Sequence, residues 1–169
     1  MNGNAGMRTV AIVPAAGVGA RMGQDKALLD LGGVTAIERI VATCHAAGVD
    51  EIIVVRRTDA APIPDDLDAH VVTTSGEGEM ADSLRLAYLK LPRDAEAVLV
   101  FPVDHALVEA DTVLALRAKL LREEVDLALP LYRGKPGHPV AMTRLVFAEI
   151  DRDGALLRDV VRRDQGRVA

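Results

Sequence analysis

Tryptophan is absent from this 169-residue chain, and only two tyrosines and two phenylalanines are present. Tyr88, Phe101, Tyr132 and Phe147 are too few and too scattered to form a platform for stacking bases. Basic residues are also outnumbered, with 20 Lys plus Arg against 25 Asp plus Glu and a net charge of −5. A general nucleic-acid binder needs a basic face to displace counterions from phosphates, so that class is excluded. Cys44 is the single cysteine. A disulfide framework and a cysteine zinc site are thereby excluded, which fits a reducing compartment. None of the four histidines has metal-ligand spacing with another. No run approaches the ~18–20 apolar residues that span a bilayer. Residues 1–7 lack the basic and apolar regions of a leader and are expected to form a flexible tail, so a cytoplasmic protein is expected.

What is present is an ordinary globular composition, 50% hydrophobic and 27% charged, in a length that suits one domain. Thr9–Val13 is an apolar run stopped by Pro14 and predicts a strand buried on both faces. From Thr35 to Ala47, Ile37, Ile40, Val41 and Cys44 recur at helical spacing before Gly48. Further strands are predicted at 51–55, 70–73, 97–103 and 127–131, and helices at 82–91 and 110–122. Residues 134–139 read as a Gly/Pro loop, and the chain from Thr143 onward as helical with a break near Gly154. Strands separated by helices imply βαβ units and a mostly parallel sheet covered on both faces. One α/β domain over 8–169 is expected, a Rossmann-like three-layer sandwich whose ligands sit at the carboxyl ends of its strands.

The loop after the first strand, Pro14-Ala15-Ala16-Gly17-Val18-Gly19-Ala20-Arg21-Met22-Gly23-Gln24-Asp25-Lys26, carries three glycines and two cations. Glycines let backbone N–H groups approach an anion, and Arg21 with Lys26 suits a polyanion such as a nucleoside triphosphate. The alternative is an ordinary Gly-rich turn. A Walker A loop fits poorly, because Gly23 and Lys26 are separated. The dinucleotide fingerprint fits poorly too: Met22 replaces its third glycine, and Arg56 and Arg57 stand where an acidic residue would end the second strand. Those arginines leave an NADP-binding domain open.

The pattern Ala-Ala-Gly-x-Gly-x-Arg-Met-Gly-x-x-Lys resembles the signature loop of the molybdenum cofactor cytidylyltransferase group, within the nucleotidyltransferase superfamily that also holds guanylyltransferases and sugar-phosphate relatives. Ala27 to Gly33, Phe101-Pro102-Val103-Asp104-His105, Gly134 to Val140 and Asp153 to Leu157 resemble further family segments. The resemblance implies a fold of the nucleotide-diphospho-sugar transferase type. It also implies Mg²⁺-dependent transfer of a nucleoside monophosphate to a phosphorylated acceptor such as molybdopterin, with release of pyrophosphate. It assigns Arg21 to the β- and γ-phosphates, Lys26 to the α-phosphate, and Ala15, Ala16, Gly17 and Gly19 to the nucleotide. Asp104 is implied as the Mg²⁺ ligand, Gly78 and Ser83 as contacts of the base and ribose, and His138 as part of the acceptor site.

Chemistry supports parts of that assignment. A carboxylate at the end of a buried strand is costly unless it pairs or binds a cation, and Mg²⁺ takes one or two carboxylates with phosphate oxygens and water. Asp104 could instead cap the following helix, and Asp82 or Ser83 could cap theirs. Asp25 caps the next helix or bonds Lys26, behind the reacting groups. The resemblance associates Ala15-Ala16-Gly17 with CTP users and Ala-Gly-Gly with GTP users; the Ala16 methyl occupies space a larger base would need, although one methyl supplies only ~1–3 kcal/mol of discrimination. His45 and His70 read as structural or surface residues, and Cys44 as core. Set against the family, the chain lacks an evident second metal carboxylate near its end, where Asp164 lies in a charged tail. A short domain is therefore expected, and a nucleotide-binding module without turnover is the competing class. A sugar-phosphate acceptor or GTP as donor is the alternative within the class.

Overall fold

The computed structural model describes residues 6–17, 25–75, 80–122, 125–153 and residue 159. Thr9–Pro14 forms β1, whose Val10, Ala11, Ile12 and Val13 are wholly buried, as a run apolar on both faces requires. Helix α1, Ala36–Ala46, starts with a reciprocal cap in which the Thr35 hydroxyl accepts from the Glu38 N–H and the Glu38 carboxylate accepts from the Thr35 N–H. It ends at Gly48, whose φ of +67° is left-handed. That conformation selects glycine, and a Cβ there would also lie 3.2 Å from the Arg117 guanidinium. Strands β2 (Glu51–Arg57) and β3 (His70–Thr74) follow, then α2 (Met80–Tyr88), β4 (Ala97–Val100) and α3 (Ala110–Arg122).

The sheet order is β3-β2-β1-β4-β8-β5, with β5 at Leu127–Ala128 and β8 at Val140–Thr143. The first four neighbours are parallel; β8 runs antiparallel to both β4 and β5. The mostly parallel α/β sandwich is thus as expected. On one face, Ile37, Ile40 and Cys44 of α1 and Val113, Leu116 and Leu120 of α3 pack on alternate strand residues such as Ala11, Val13 and Leu99. On the other, Leu84 and Ala87 of α2 and Val146 and Phe147 of α4 (Arg144–Asp153) cover Val10, Ile12, Val98 and Val100. Each fully buried Leu, Ile, Val or Phe among these stabilises the fold by about 1.5–3 kcal/mol. Met7, expected in the tail, packs against the first of these layers.

Four local readings need correction. The strand expected over 97–103 stops at Val100, because Phe101 makes the last bond to β1 (N–H to Ile12 O, 2.9 Å) and Pro102 has no N–H to give. The strand expected over 127–131 is divided at Pro130 into β5 and β6 (Leu131–Tyr132). The expected loop at 134–139 begins with β7 (Lys135–Pro136), which pairs with β6 through a two-residue turn. That turn places Arg133 (φ +51°) and Gly134 (φ +75°) in the left-handed region, the geometry that joins twisted hairpin strands. Finally, β8 lies just before the predicted C-terminal helix, where no strand was expected. The expected break near Gly154 lies outside the described residues.

Candidate active site

In the order β3-β2-β1-β4, the chain leaves β1 toward β2 on one side and reaches β4 on the other. The carboxyl ends of β1 and β4 therefore border the crevice where open α/β sheets bind ligands. There a cleft of about 200 Å³ opens. One wall is Pro14 to Gly17 after β1, and another is Pro102, Val103 and Asp104 after β4. Met80 and Ser83 of α2 and the segment Asp25 to Ala27 complete the lining.

Lys26 begins a single 3-10 turn, Lys26–Leu28. Asp25 precedes it and accepts from the Ala27 N–H at 3.0 Å, so it caps this turn rather than bonding Lys26. Its carboxylate is also gripped by both terminal nitrogens of Arg56, at 2.9 and 2.7 Å. Arg56 sits near the end of β2, is only 3% exposed, and donates as well to the Ala61 carbonyl. Burial alone would raise the Asp25 carboxyl, but the Arg56 hydrogen bonds, the Ala27 N–H and the Arg56 charge outweigh it and hold the group below the usual carboxylate value.

Opposite this turn, Lys26 Nζ lies 3.5 Å from Asp104 Oδ2. Charged hydrogen bonds usually close to about 2.7–2.9 Å, so this is an open pair with room for other ligands. Asp104 is on the turn Val103–His105 beyond β4, and its side chain is 54% exposed. The expectation of a costly carboxylate at a buried strand end is therefore corrected: three residues beyond the strand, Phe101 to Val103, carry Asp104 out of the core to the rim of the cleft. His105 Nε2 stands 3.8 Å from Asp104 Oδ1, and the His105 ring lies against that of His138, centroids 4.8 Å apart. Burial lowers the His138 pKa, and the neighbouring His105 lowers it further, against the opposing pull of Asp104.

Of the expected site residues, Ala15, Ala16, Gly17, Lys26, Ser83 and Asp104 meet around this cleft. His138 does not line the cleft; its ring lies against that of His105, the residue after Asp104. Arg21, Gly19 and Gly78 lie outside the described residues. Ala15 and Ala16 are buried, whereas among the described residues a Cβ on Gly17 would meet nothing within 4 Å. Ser83 is buried in the first turn of α2 and faces the cleft rather than capping the helix. Asp82 pairs with Arg85 at 3.0 Å. His45 lies beside Asp68 at the surface (3.4 Å), and His70 is exposed at the start of β3. Cys44 is core, and burial pushes its thiol up to about 12.

The NADP reading loses its footing here. Arg56 is consumed by Asp25 and Ala61, and Arg57 pairs with Asp59, so this pair of arginines does not form an open socket for a 2′-phosphate. The Asp25–Arg56 pair itself was missed in the sequence, although an arginine following the apolar Ile52 to Val55 was the available signal. The stack of His105 on His138 was missed because the hairpin and β8 are needed to bring residue 138 beside residue 105.

A divalent cation is compatible with the donors present. Asp104 offers an exposed carboxylate within the cleft, although no group of three His, Cys, Asp or Glu forms a protein-only cage among the described residues. A site completed by phosphate oxygens and water fits Mg²⁺, which binds few protein ligands. Among the described residues no helix is long and apolar enough to cross a membrane.

Comparison with known proteins bears on the family and the fold. The 2-C-methyl-D-erythritol 4-phosphate cytidylyltransferase of Rhodococcus opacus is 36% identical over 115 residues, covering 66% of this chain and 50% of that protein. The chain thus spans about half the length of such a curated relative. A nucleotidyl transferase from Methanothermobacter superposes with a TM-score of 0.72 at 26% identity, over 85% of this chain and 75% of its own. The Mycobacterium tuberculosis protein Rv0371c, crystallised with manganese, shares the fold at a TM-score of 0.65 and 24% identity, over 86% of this chain and 76% of its own. The resemblance to the molybdenum cofactor enzymes is therefore corrected to a broader one, since curated relatives that match in sequence, that of Rhodococcus opacus among them, are named for a sugar-alcohol phosphate. Residues 11–167 match the family described as the MobA-like NTP transferase domain, and the chain belongs to that family.

Proposed function

We propose that the protein transfers CMP from CTP to a phosphorylated sugar or sugar alcohol and releases pyrophosphate, with a divalent cation. The observation that carries this reading is the meeting of Lys26 and Asp104 across the switch-point cleft, 3.5 Å apart. The Rhodococcus relative, named as a cytidylyltransferase of such an acceptor, supports the choice of donor and acceptor class. The manganese in the related mycobacterial structure supports a divalent ion, here Mg²⁺.

The acceptor phosphate is ionised at neutral pH, so no general base is required. One of its oxygens forms a bond to the α-phosphorus while the bond from that phosphorus to the bridging oxygen breaks, and pyrophosphate leaves with the electron pair. Such chemistry depends on positioning and on neutralising charge. Lys26 holds the α-phosphate, and Arg21 with the backbone of Gly17 and Gly19 holds the β- and γ-phosphates. Ala15, Ala16, Gly78 and Ser83 border the nucleoside, and the buried Ala16 methyl narrows the space for a purine. His138 stands on the acceptor side, beside His105. Asp104 would hold the cation, which supplies charge neutralisation to the phosphates.

The test is thermal-shift binding of CTP, GTP, ATP and NADPH with and without Mg²⁺, followed by pyrophosphate release with 2-C-methyl-D-erythritol 4-phosphate and other sugar phosphates. Stabilisation by MgCTP above the other nucleotides, with acceptor-dependent pyrophosphate, is the expected result. Stabilisation by NADPH alone would overturn the reading, and MgCTP binding without pyrophosphate from any acceptor would favour a nucleotide-binding module.

A further inference from the structure

We infer that Arg56 is a positioning residue for Lys26, acting through Asp25; the inference rests on the reading of Lys26 as a phosphate contact. Lys26 starts a turn of three residues held by two backbone bonds, Leu28 N–H to Asp25 O at 3.0 Å and Leu29 N–H to Lys26 O at 3.3 Å. So short a turn does not fix its own direction. The side-chain anchor at its start is Asp25, and Asp25 is tied to the sheet by the two parallel bonds from Arg56. Arg56 in turn is held in register within β2, opposite Thr73 of β3, and by the Ala61 carbonyl. A continuous chain of contacts therefore runs from the rigid sheet through Arg56 and Asp25 to the turn whose lysine reaches across the cleft toward Asp104.

Two features distinguish this pair from an ordinary structural ion pair. A buried pair is seldom more stabilising than apolar residues of similar volume, yet it directly follows the apolar stretch Ile52 to Val55 and stands at the cleft end of β2. The pair also occupies the carboxylate adjoining Lys26 in sequence. With Arg56 engaged, Asp25 carries no free charge to draw Lys26 back, and the ammonium is left to the cleft. A lysine at position 56 would keep the charge but lose the planar fork that fixes the carboxylate's orientation.

The test is equilibrium binding of MgCTP and of cytidine to the full chain and to Lys26→Ala, Arg56→Lys, Asp25→Asn and the double variant Lys26→Ala/Arg56→Lys. Losing one charge-assisted contact corresponds to about 10-fold or more in affinity, so Lys26→Ala weakens MgCTP by at least about that factor. Arg56→Lys and Asp25→Asn each weaken MgCTP but leave cytidine unchanged, and Arg56→Lys adds nothing once Lys26 is gone. Should Arg56→Lys fail to fold, Asp25→Asn, which keeps the acceptor for Ala27, carries the same cycle with Lys26→Ala. An equal loss for cytidine, or an undiminished loss in the Lys26→Ala background, overturns the positioning role while leaving the nucleotide reading intact. MgCTP binding that is indifferent to Lys26→Ala overturns the phosphate assignment, and the inference with it.

Discussion

The Asp25–Arg56 pair makes a quantitative prediction about acid stability. Replacing Arg56 by Met keeps the bulk of a side chain that is 3% exposed but leaves the Asp25 carboxylate without its partner. Breaking a buried pair costs about 3–5 kcal/mol. The Asp25 side chain is 27% exposed, so water recovers part of that cost, and about 2–3 kcal/mol is expected. For a domain of this size each kcal/mol lowers Tm by about 2–4 °C, so the variant should melt about 4–12 °C below the parent at pH 7. Asp25→Asn keeps one acceptor for Ala27 and loses the charge, for about 1–2 kcal/mol. The folded state holds the Asp25 carboxyl below its ordinary value, so folding favours the ionised form. That contribution is full above about pH 4, near the unfolded value, and is lost as the pH falls through the lower folded value. Urea unfolding of the parent and Asp25→Asn at pH 7, 5 and 3 measures it. The gap between the two should hold from pH 7 to 5 and shrink at pH 3. A gap that stays constant or widens in acid would refute the argument, as would an Arg56→Met variant as stable as the parent at pH 7.

Lys26→Ala should lower turnover with CTP and a sugar-phosphate acceptor by ~100-fold or more, the scale of removing a donor to developing charge, as read by pyrophosphate release. Asp104→Ala should abolish the Mg²⁺ dependence of the CTP-induced thermal shift, and retention of that dependence would remove Asp104 from the metal role. Cys44 should resist thiol reagents at pH 8 in the folded chain, because burial holds its thiol near 12, and should label only as fast as the protein unfolds. Phe147→Ala should cost about 3–5 kcal/mol in denaturant unfolding, because the ring is buried and packs 5.9 Å from that of Tyr88 to join α4 to α2.

The parallel half of the fold was legible because its signals are local. Four apolar residues in succession at Val10 to Val13, the helical spacing of Ile37, Ile40, Val41 and Cys44, and a glycine at 48 each declare their element without reference to the rest of the chain. The antiparallel edge was not, for the opposite reason. Strand β8 has only Val140–Thr143, between a Gly/Pro stretch and a helix, and four residues carry too little periodicity to separate a strand from a helix start. Its identity comes from pairing with β4 on one side and β5 on the other. The hairpin β6–β7 was hidden similarly, since its turn uses Arg133 at a positive φ where asparagine or aspartate would have announced it.

In the site, the sequence disclosed which charged residues border the cleft but not which charges are already paired. Lys26 and Asp104 were legible because each ends a recognisable segment, and they do face one cleft. The role of Arg56 stayed open because a cation at the end of a second strand looks equally suited to an external phosphate or an internal carboxylate. The partner that decides between them is Asp25, 31 positions earlier in the chain. A pairing so remote leaves no periodicity, yet its chemistry has a visible consequence: the carboxylate beside Lys26 is neutralised from behind. Any chain that places an acid next to a phosphate-binding lysine faces the same choice. Either the lysine is lost to its neighbour, or a second cation must engage the acid. An arginine that ends a buried strand at the cleft, with a fork matched to a carboxylate, is therefore better sought as the guard of such an acid than counted as a further ligand for substrate.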